Sequence, residues 1–121
     1  MYHETTFAGA PQLRCMSRNW WELSGVSDLV RQLFASGEGS HATPSEISVT
    51  QFVYPETVKQ TELSPRVAPL GPIFDADDYR RRFPDGRIGS DPSQANRDAG
   101  EKLVTTAVRS LIAEFKAFAA G

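Results

Sequence analysis

Only one stretch of this chain, residues 13–17, reads as a β-strand, and one strand cannot make a sheet. The remaining apolar residues repeat with helical spacing or stand in segments broken by proline and glycine. Either more strands are hidden in those irregular segments, or the sheet that residues 13–17 join lies in another segment. The fold class this predicts is α/β and helix-rich, with few strands of its own.

The helices are easier to place. Val26, Leu29, Val30, Leu33 and Phe34 fall on one face of a helix, with Ser24 or Ser27 as its cap and Gly37 as its stop. Thr43-Pro44-Ser45-Glu46 has the pattern of a capping box: Thr at the cap, Pro at the first helical position, Glu three residues after the cap. Ile47, Val49, Phe52, Val53 and Tyr54 follow on several sides, which predicts a helix buried on more than one face and ended by Pro55. Residues 56–73, with Pro65, Pro69, Gly71 and Pro72, read as a long loop that is functional or packs on something outside the chain. A short helix follows over residues 75–82, then a Pro84-Asp85-Gly86 turn. A last helix is capped by Asp91, with Val104, Val108, Leu111, Ile112 and Phe115 as its apolar stripe.

At 121 residues the chain fits a single domain, here read as one partial domain over residues 1–121. Its net charge of −2 gives no electrostatic case for nucleic acid or a bilayer. The one basic run, Arg80-Arg81-Arg82, stands beside Asp75, Asp77 and Asp78. The expected arrangement is a capped helix whose arginines pair with its own acids. Cys15 is the sole cysteine, so no intrachain disulfide forms, and its apolar neighbours predict a buried, inert thiol. The first residues lack a charged segment followed by an apolar one, so no signal peptide is expected, and no apolar run approaches the roughly 20 residues that cross a bilayer. The expected location is the cytoplasm.

Chemistry concentrates around residue 40. His41 is flanked by small residues, Gly39, Ser40 and Ala42, which leave room for a ligand, while Glu38 and Glu46 are carboxylates able to tune an imidazole. The structural alternatives stay open: a surface histidine for His41, helix capping for Glu46. Trp20-Trp21 is either core packing, a wall shielding a substrate, or an interface anchor. His3 reads as solvent-exposed. The two histidines, His3 and His41, lack any spacing suited to a metal site, and no nucleophile elbow, phosphate loop or cysteine pair is present. The chain on its own is assigned no metal ligands.

His41-Ala42-x-x-x-Glu46 resembles the His-Ala-Gly-x-x-Glu-Thr-Ser segment of the creatininase (creatinine amidohydrolase) family. Tyr54-Pro55-Glu56-Thr57-Val58 is similar to the Pro-Glu-x-Val after that helix, and Gly89-Ser90-Asp91-Pro92, Ala95 and Gly100 to the segment before the family's last helix. The three agree in order and spacing across residues 13–118. The resemblance implies an α/β/α sandwich, usually in a homo-oligomer, that hydrolyses a cyclic amide or related C–N bond of a small molecule with two divalent ions such as Zn or Mn.

It implies catalytic roles for His41 and Glu46 and substrate-side positions for Trp21 and Ser40. Ser40 stands where creatininases proper carry an acid before the histidine, which argues against creatinine itself as substrate. Thr43 replaces the motif glycine, and Ile47-Ser48 replaces Thr-Ser. The family's Glu-x-His-Gly and Asn-Gly-His segments, which bring most metal ligands, have no counterpart, and Tyr2-His3-Glu4 does not substitute for them. The chain therefore reads as the C-terminal half of such an enzyme, inactive alone. A separate chain supplying the first half, or a non-catalytic interaction module keeping the scaffold, are the alternatives.

Overall fold

The computed structural model describes Gly9 and residues 14–59 and 61–120. Its α-helices are α1 (Val26–Leu33), α2 (Pro44–Val53), α3 (Ala76–Arg82) and α4 (Arg97–Ala120), with short 3₁₀ turns at Trp20–Glu22, Pro55–Thr57 and Pro92–Gln94. The helix-rich reading holds. The strand does not: Leu13 lies outside the described residues, and residues 14–17 form no strand. They run alongside α4, where the Arg14 guanidinium sits over the Phe118 ring at 4.7 Å and Arg18 Nε donates to Glu114 at 2.7 Å. No neighbouring strand among the described residues offers that backbone a ladder. Cys15 on this segment is exposed, not buried, because residues 14–19 lie on the surface. His3 and Tyr2-His3-Glu4 lie outside the described residues.

The core is small. Leu23, Val26, Phe34, Ala99 and Leu103 are buried together, with Trp20, Leu29, Val30, Leu33, Val49 and Ala107 packed around them. Here α1 lays its apolar face on the first half of α4, as its spacing predicts. Its cap differs: Gly25, in the left-handed region at φ +80°, takes that place instead of Ser24 or Ser27, and the helix ends at Leu33, before Gly37.

The α2 capping box forms as read. Glu46 N donates to Thr43 Oγ1 at 3.1 Å and Thr43 N donates to Glu46 Oε2 at 3.2 Å. What α2 buries is not its large apolar residues. Pro44, Ser45 and Ser48 are buried, while Val53 and Tyr54 are about half exposed. The reason is Gly100 on α4. A Cβ there would stand 2.6 Å from the Ser48 carbonyl carbon and 2.8 Å from Phe52 Cβ, so the two helices touch backbone to backbone. Small residues on the facing surfaces allow that approach.

The last helix also starts later than its motif suggests. Asp91 caps the 3₁₀ turn Pro92–Gln94, and α4 is opened by Asn96, whose Oδ1 accepts from Ala99 N at 2.9 Å. Its stripe is present but uncovered past Leu103: Val108, Leu111, Ile112 and Phe115 are 46–63% exposed.

The Arg80-Arg81-Arg82 run pairs with Asp77 and Asp78 as expected, and Asp75 caps α3. The long loop packs on the chain itself as well: Ala68 N donates to Ser90 O and Gly89 N to Pro69 O, both at 2.9 Å. The buried Arg87 holds it by donating to the carbonyls of Arg66 and Pro65 and to Asp85.

Three carboxyls are held below the ordinary aspartate value. Burial pushes Asp78 up, but the Phe74 amide and the Arg81 and Arg82 guanidinium groups outweigh it. For Asp85 the Arg87 hydrogen bond dominates over burial. For Asp91 burial opposes, and hydrogen bonds from Ser93 and Gln94 with the charge of Arg66 win. An unfolded chain binds protons at these groups near pH 3.9 that the native chain still refuses. Their stabilisation is therefore complete above that pH and is lost as pH falls below it. Urea midpoints should stay level from pH 7 to about 5 and drop through pH 4 to 3. A rise in midpoint over that interval would contradict these interactions.

Candidate functional site

The His41 corner is built on a loop that runs antiparallel to the Gly89-Ser90-Asp91 motif. Asp91 N donates to Gly37 O at 2.7 Å, Ser40 N to Ile88 O at 2.9 Å and Ile88 N to His41 O at 3.4 Å, an isolated bridge with no named strand on either side. Ser90 Oγ, fully buried, donates to the His41 carbonyl at 2.8 Å. Gly39 lies between these bonds at φ +68°, where a Cβ would collide with the Ile88 carbonyl and the Ser90 amide, so only glycine fits. Ala42 then takes φ +53°, an uncommon conformation for a residue with a side chain, directly before the α2 cap. The backbone of His41 is thus fixed from both sides while its ring stays exposed. Among the described residues that ring makes no hydrogen bond.

Of the four residues expected at a site, the structure brings two together. Trp21 and Glu46 line one cleft of about 270 Å³ with Trp20, Val30, Glu38 and Ser45. His41 and Ser40 are on the same loop but do not line it. Trp20 is half-buried against the core and meets Trp21 edge-on, ring centres 5.9 Å apart, whereas Trp21 is 48% exposed. Core packing thus describes Trp20, while Trp21 stands at the surface of the cleft.

Glu38 is more deeply engaged here than its sequence context suggests. Its Oε1 accepts from Ser45 Oγ, which is 2.9 Å from Thr43 Oγ1, and Thr43 Oγ1 is 3.2 Å from Glu46 Oε2. Two hydroxyls therefore connect two carboxylates at the mouth of α2. The second Glu38 oxygen is buried without a hydrogen-bond partner. The signal was the serine inside the capping box, at a position that faces back onto the preceding loop. A larger groove of about 620 Å³ lies elsewhere along α2, where Lys59 and Arg97 are its charged residues. It holds none of the four expected site residues.

These residues make a helical scaffold that presents a histidine and a carboxylate on one loop–helix corner. Its sequence matches the family model for creatininase, creatinine amidohydrolase, over residues 1–115. The chain belongs to the creatininase family. No curated protein matches it.

Enzymes of that family are generally metal-dependent. Among the described residues no three His, Cys, Asp or Glu side chains come together to hold an ion. Glu38 and Glu46, with hydroxyls between them, are the nearest approach and fall short of the three protein ligands a hydrolytic centre uses. The described residues do not fit a metal of their own. No helix among them is long and apolar enough to cross a membrane.

Proposed function

We propose that this chain is the C-terminal segment of a metal-dependent hydrolase of the creatininase family, acting on a cyclic amide or related C–N bond in the cytoplasm. The observation that carries the reading is the family match over nearly the whole chain, joined to a corner that fixes the His41 backbone beside the mouth of α2. In this reading His41 and Glu46 serve proton transfer, Trp21 and Ser40 face the substrate, and the Zn or Mn ligands come from a missing N-terminal half or a partner chain. The exposed stripe on α4, with residues 14–19 laid along that helix, suits a layer of a larger α/β/α sandwich and assembly into an oligomer.

The test is reconstitution. The 121-residue chain, equilibrated with Zn or Mn and dialysed, should retain well under one ion per chain and hydrolyse no cyclic amide. Mixed with a polypeptide that carries Glu-x-His-Gly and Asn-Gly-His segments, it should load metal and gain hydrolysis, and His41→Ala should remove that gain. Tight stoichiometric metal on the chain alone would overturn the reading, as would failure to gain activity on mixing. A gain untouched by His41→Ala would remove His41 from the chemistry. An interaction module would instead respond to substitutions at Trp20 and Trp21 and not at His41.

A further inference from the structure

The cleft beside α2 has a composition that selects its ligand. One wall is aromatic, Trp20 and Trp21 set edge-on at 5.9 Å. The other carries Glu38 and Glu46, and among the described residues neither has an arginine or lysine within ion-pair distance. The one cation on the rim, Arg31, is already paired with Asp28. Glu38 also keeps one oxygen buried and unpartnered, and an unmet carboxylate oxygen is costly when withdrawn from water. What would relieve it is a donor that carries positive charge.

A metal ion is the poorer match, because two carboxylates and a hydroxyl offer too few strong ligands and the indoles offer none. An organic ammonium suits both walls: hydrogen bonds and charge toward the carboxylates, cation–π and apolar contact toward the indoles. The volume, about 270 Å³, holds roughly nine waters' worth of ligand, so the guest is small.

We infer that this cleft binds a small organic ammonium ion, its charge on Glu38 and its apolar body against Trp20 and Trp21. This names a ligand class for the corner that holds Trp21 and Glu46, and so rests on the reading that the corner faces substrate. Glu38 lines the cleft, and turning its carboxylate toward the guest exchanges the Ser45 bond for one from the ammonium. Glu46 adds negative potential from the same side while keeping its capping bonds.

The chain's only two tryptophans both line the cleft, so intrinsic tryptophan fluorescence reports on this place alone. Titrating the full chain with n-butylammonium chloride should give a saturable change. Neutral n-butanol and sodium chloride at equal concentrations should not. Glu38→Gln should weaken butylammonium binding roughly tenfold or more, with the circular dichroism of the helices unchanged. Equal saturation by n-butanol would make this an apolar cleft only and overturn the inference, as would unaltered affinity in Glu38→Gln. The butanol comparison uses the unsubstituted chain, so it decides the matter even if that variant does not fold. Hydrolysis on reconstitution without butylammonium binding would sink the ligand class and leave the family reading standing. Binding without hydrolysis would keep the ligand class and sink the catalytic reading, family membership being untouched.

Discussion

Gly100→Ala should destabilise the chain by about 3 kcal/mol or prevent folding, although glycine-to-alanine in a helix interior ordinarily gains about 1 kcal/mol. The sign is reversed by geometry. Gly100 is buried inside α4, and the added methyl would overlap the Ser48 carbonyl and stand 2.8 Å from Phe52 Cβ. The colliding atoms on one side are backbone, in the α2 turn that Ser48 braces by donating to Pro44 O at 2.6 Å and accepting from Asn96 N at 3.1 Å. A rotamer change cannot relieve that, so α2 must lift off α4, and the bond from Asn96 N to Ser48 Oγ is lost with it. Ala113→Gly, on the exposed far half of the same helix, should cost only its propensity, about 1 kcal/mol. Urea unfolding of both variants gives the comparison. A Gly100→Ala chain as stable as the parent would mean that α2 and α4 do not approach as closely as described.

That contact also marks where the sequence ceases to be readable. The α2 cap, the α3 cap at Asp75 and the α1 stripe were all legible because each is decided within one or two helical turns. Which side of α2 is buried is decided by Gly100, far along the chain, and by a pair of serines that hydropathy scores as surface. The apolar residues all round α2 predict burial on more than one face, yet Val53 and Tyr54 stand about half exposed. The same applies at residues 13–17: a short apolar run reads as a strand, yet a strand exists only where another lies beside it, and among the described residues none does. Asp91 misled for a different reason. Asp-Pro is a sound cap signal, and it does cap a turn, but that turn is 3₁₀ and ends before Asn96 opens the long helix.

The site was legible in part. Small residues around His41 were read as room for a ligand, whereas Gly39 sits where a side chain would collide with residues 88–90. Nothing local announced that Ser90 would hold the His41 carbonyl across 49 positions. Glu38 could be named as a carboxylate near His41, but its engagement with Ser45 depends on the loop folding back over the mouth of α2, which Asp91 N achieves by bonding Gly37 O.

The Asp91 side chain braces the turn whose backbone makes that bond, and Asp91→Ala should cost about 3 kcal/mol. The carboxylate is 2% exposed and is surrounded by donors: Ser93 N at 3.2 Å, Ser93 Oγ, Arg66 Nε at 2.9 Å and Gln94 Nε2 at 3.2 Å. Truncation removes the one buried acceptor that these donors share, and it frees Gln94, which also donates to Ser36 O at 2.8 Å. Asp91→Asn keeps one acceptor but turns its amide hydrogens toward Arg66 or Gln94, so it should also destabilise. The contribution comes from the buried hydrogen bonds more than from the ion pair. Arg66→Ala, whose side chain is 70% exposed, should cost under about 1 kcal/mol. Hydrogen exchange then separates a global from a local effect. In Asp91→Ala the amides of Ser40 and Asp91, bonded to Ile88 O and Gly37 O, should exchange faster than the α4 core amides do, because the loop carrying His41 opens before the helices part. Equal losses from Arg66→Ala and Asp91→Ala would instead assign the stabilisation to the ion pair, and the His41 loop would then be held by Ser90 and Gly39 without Asp91.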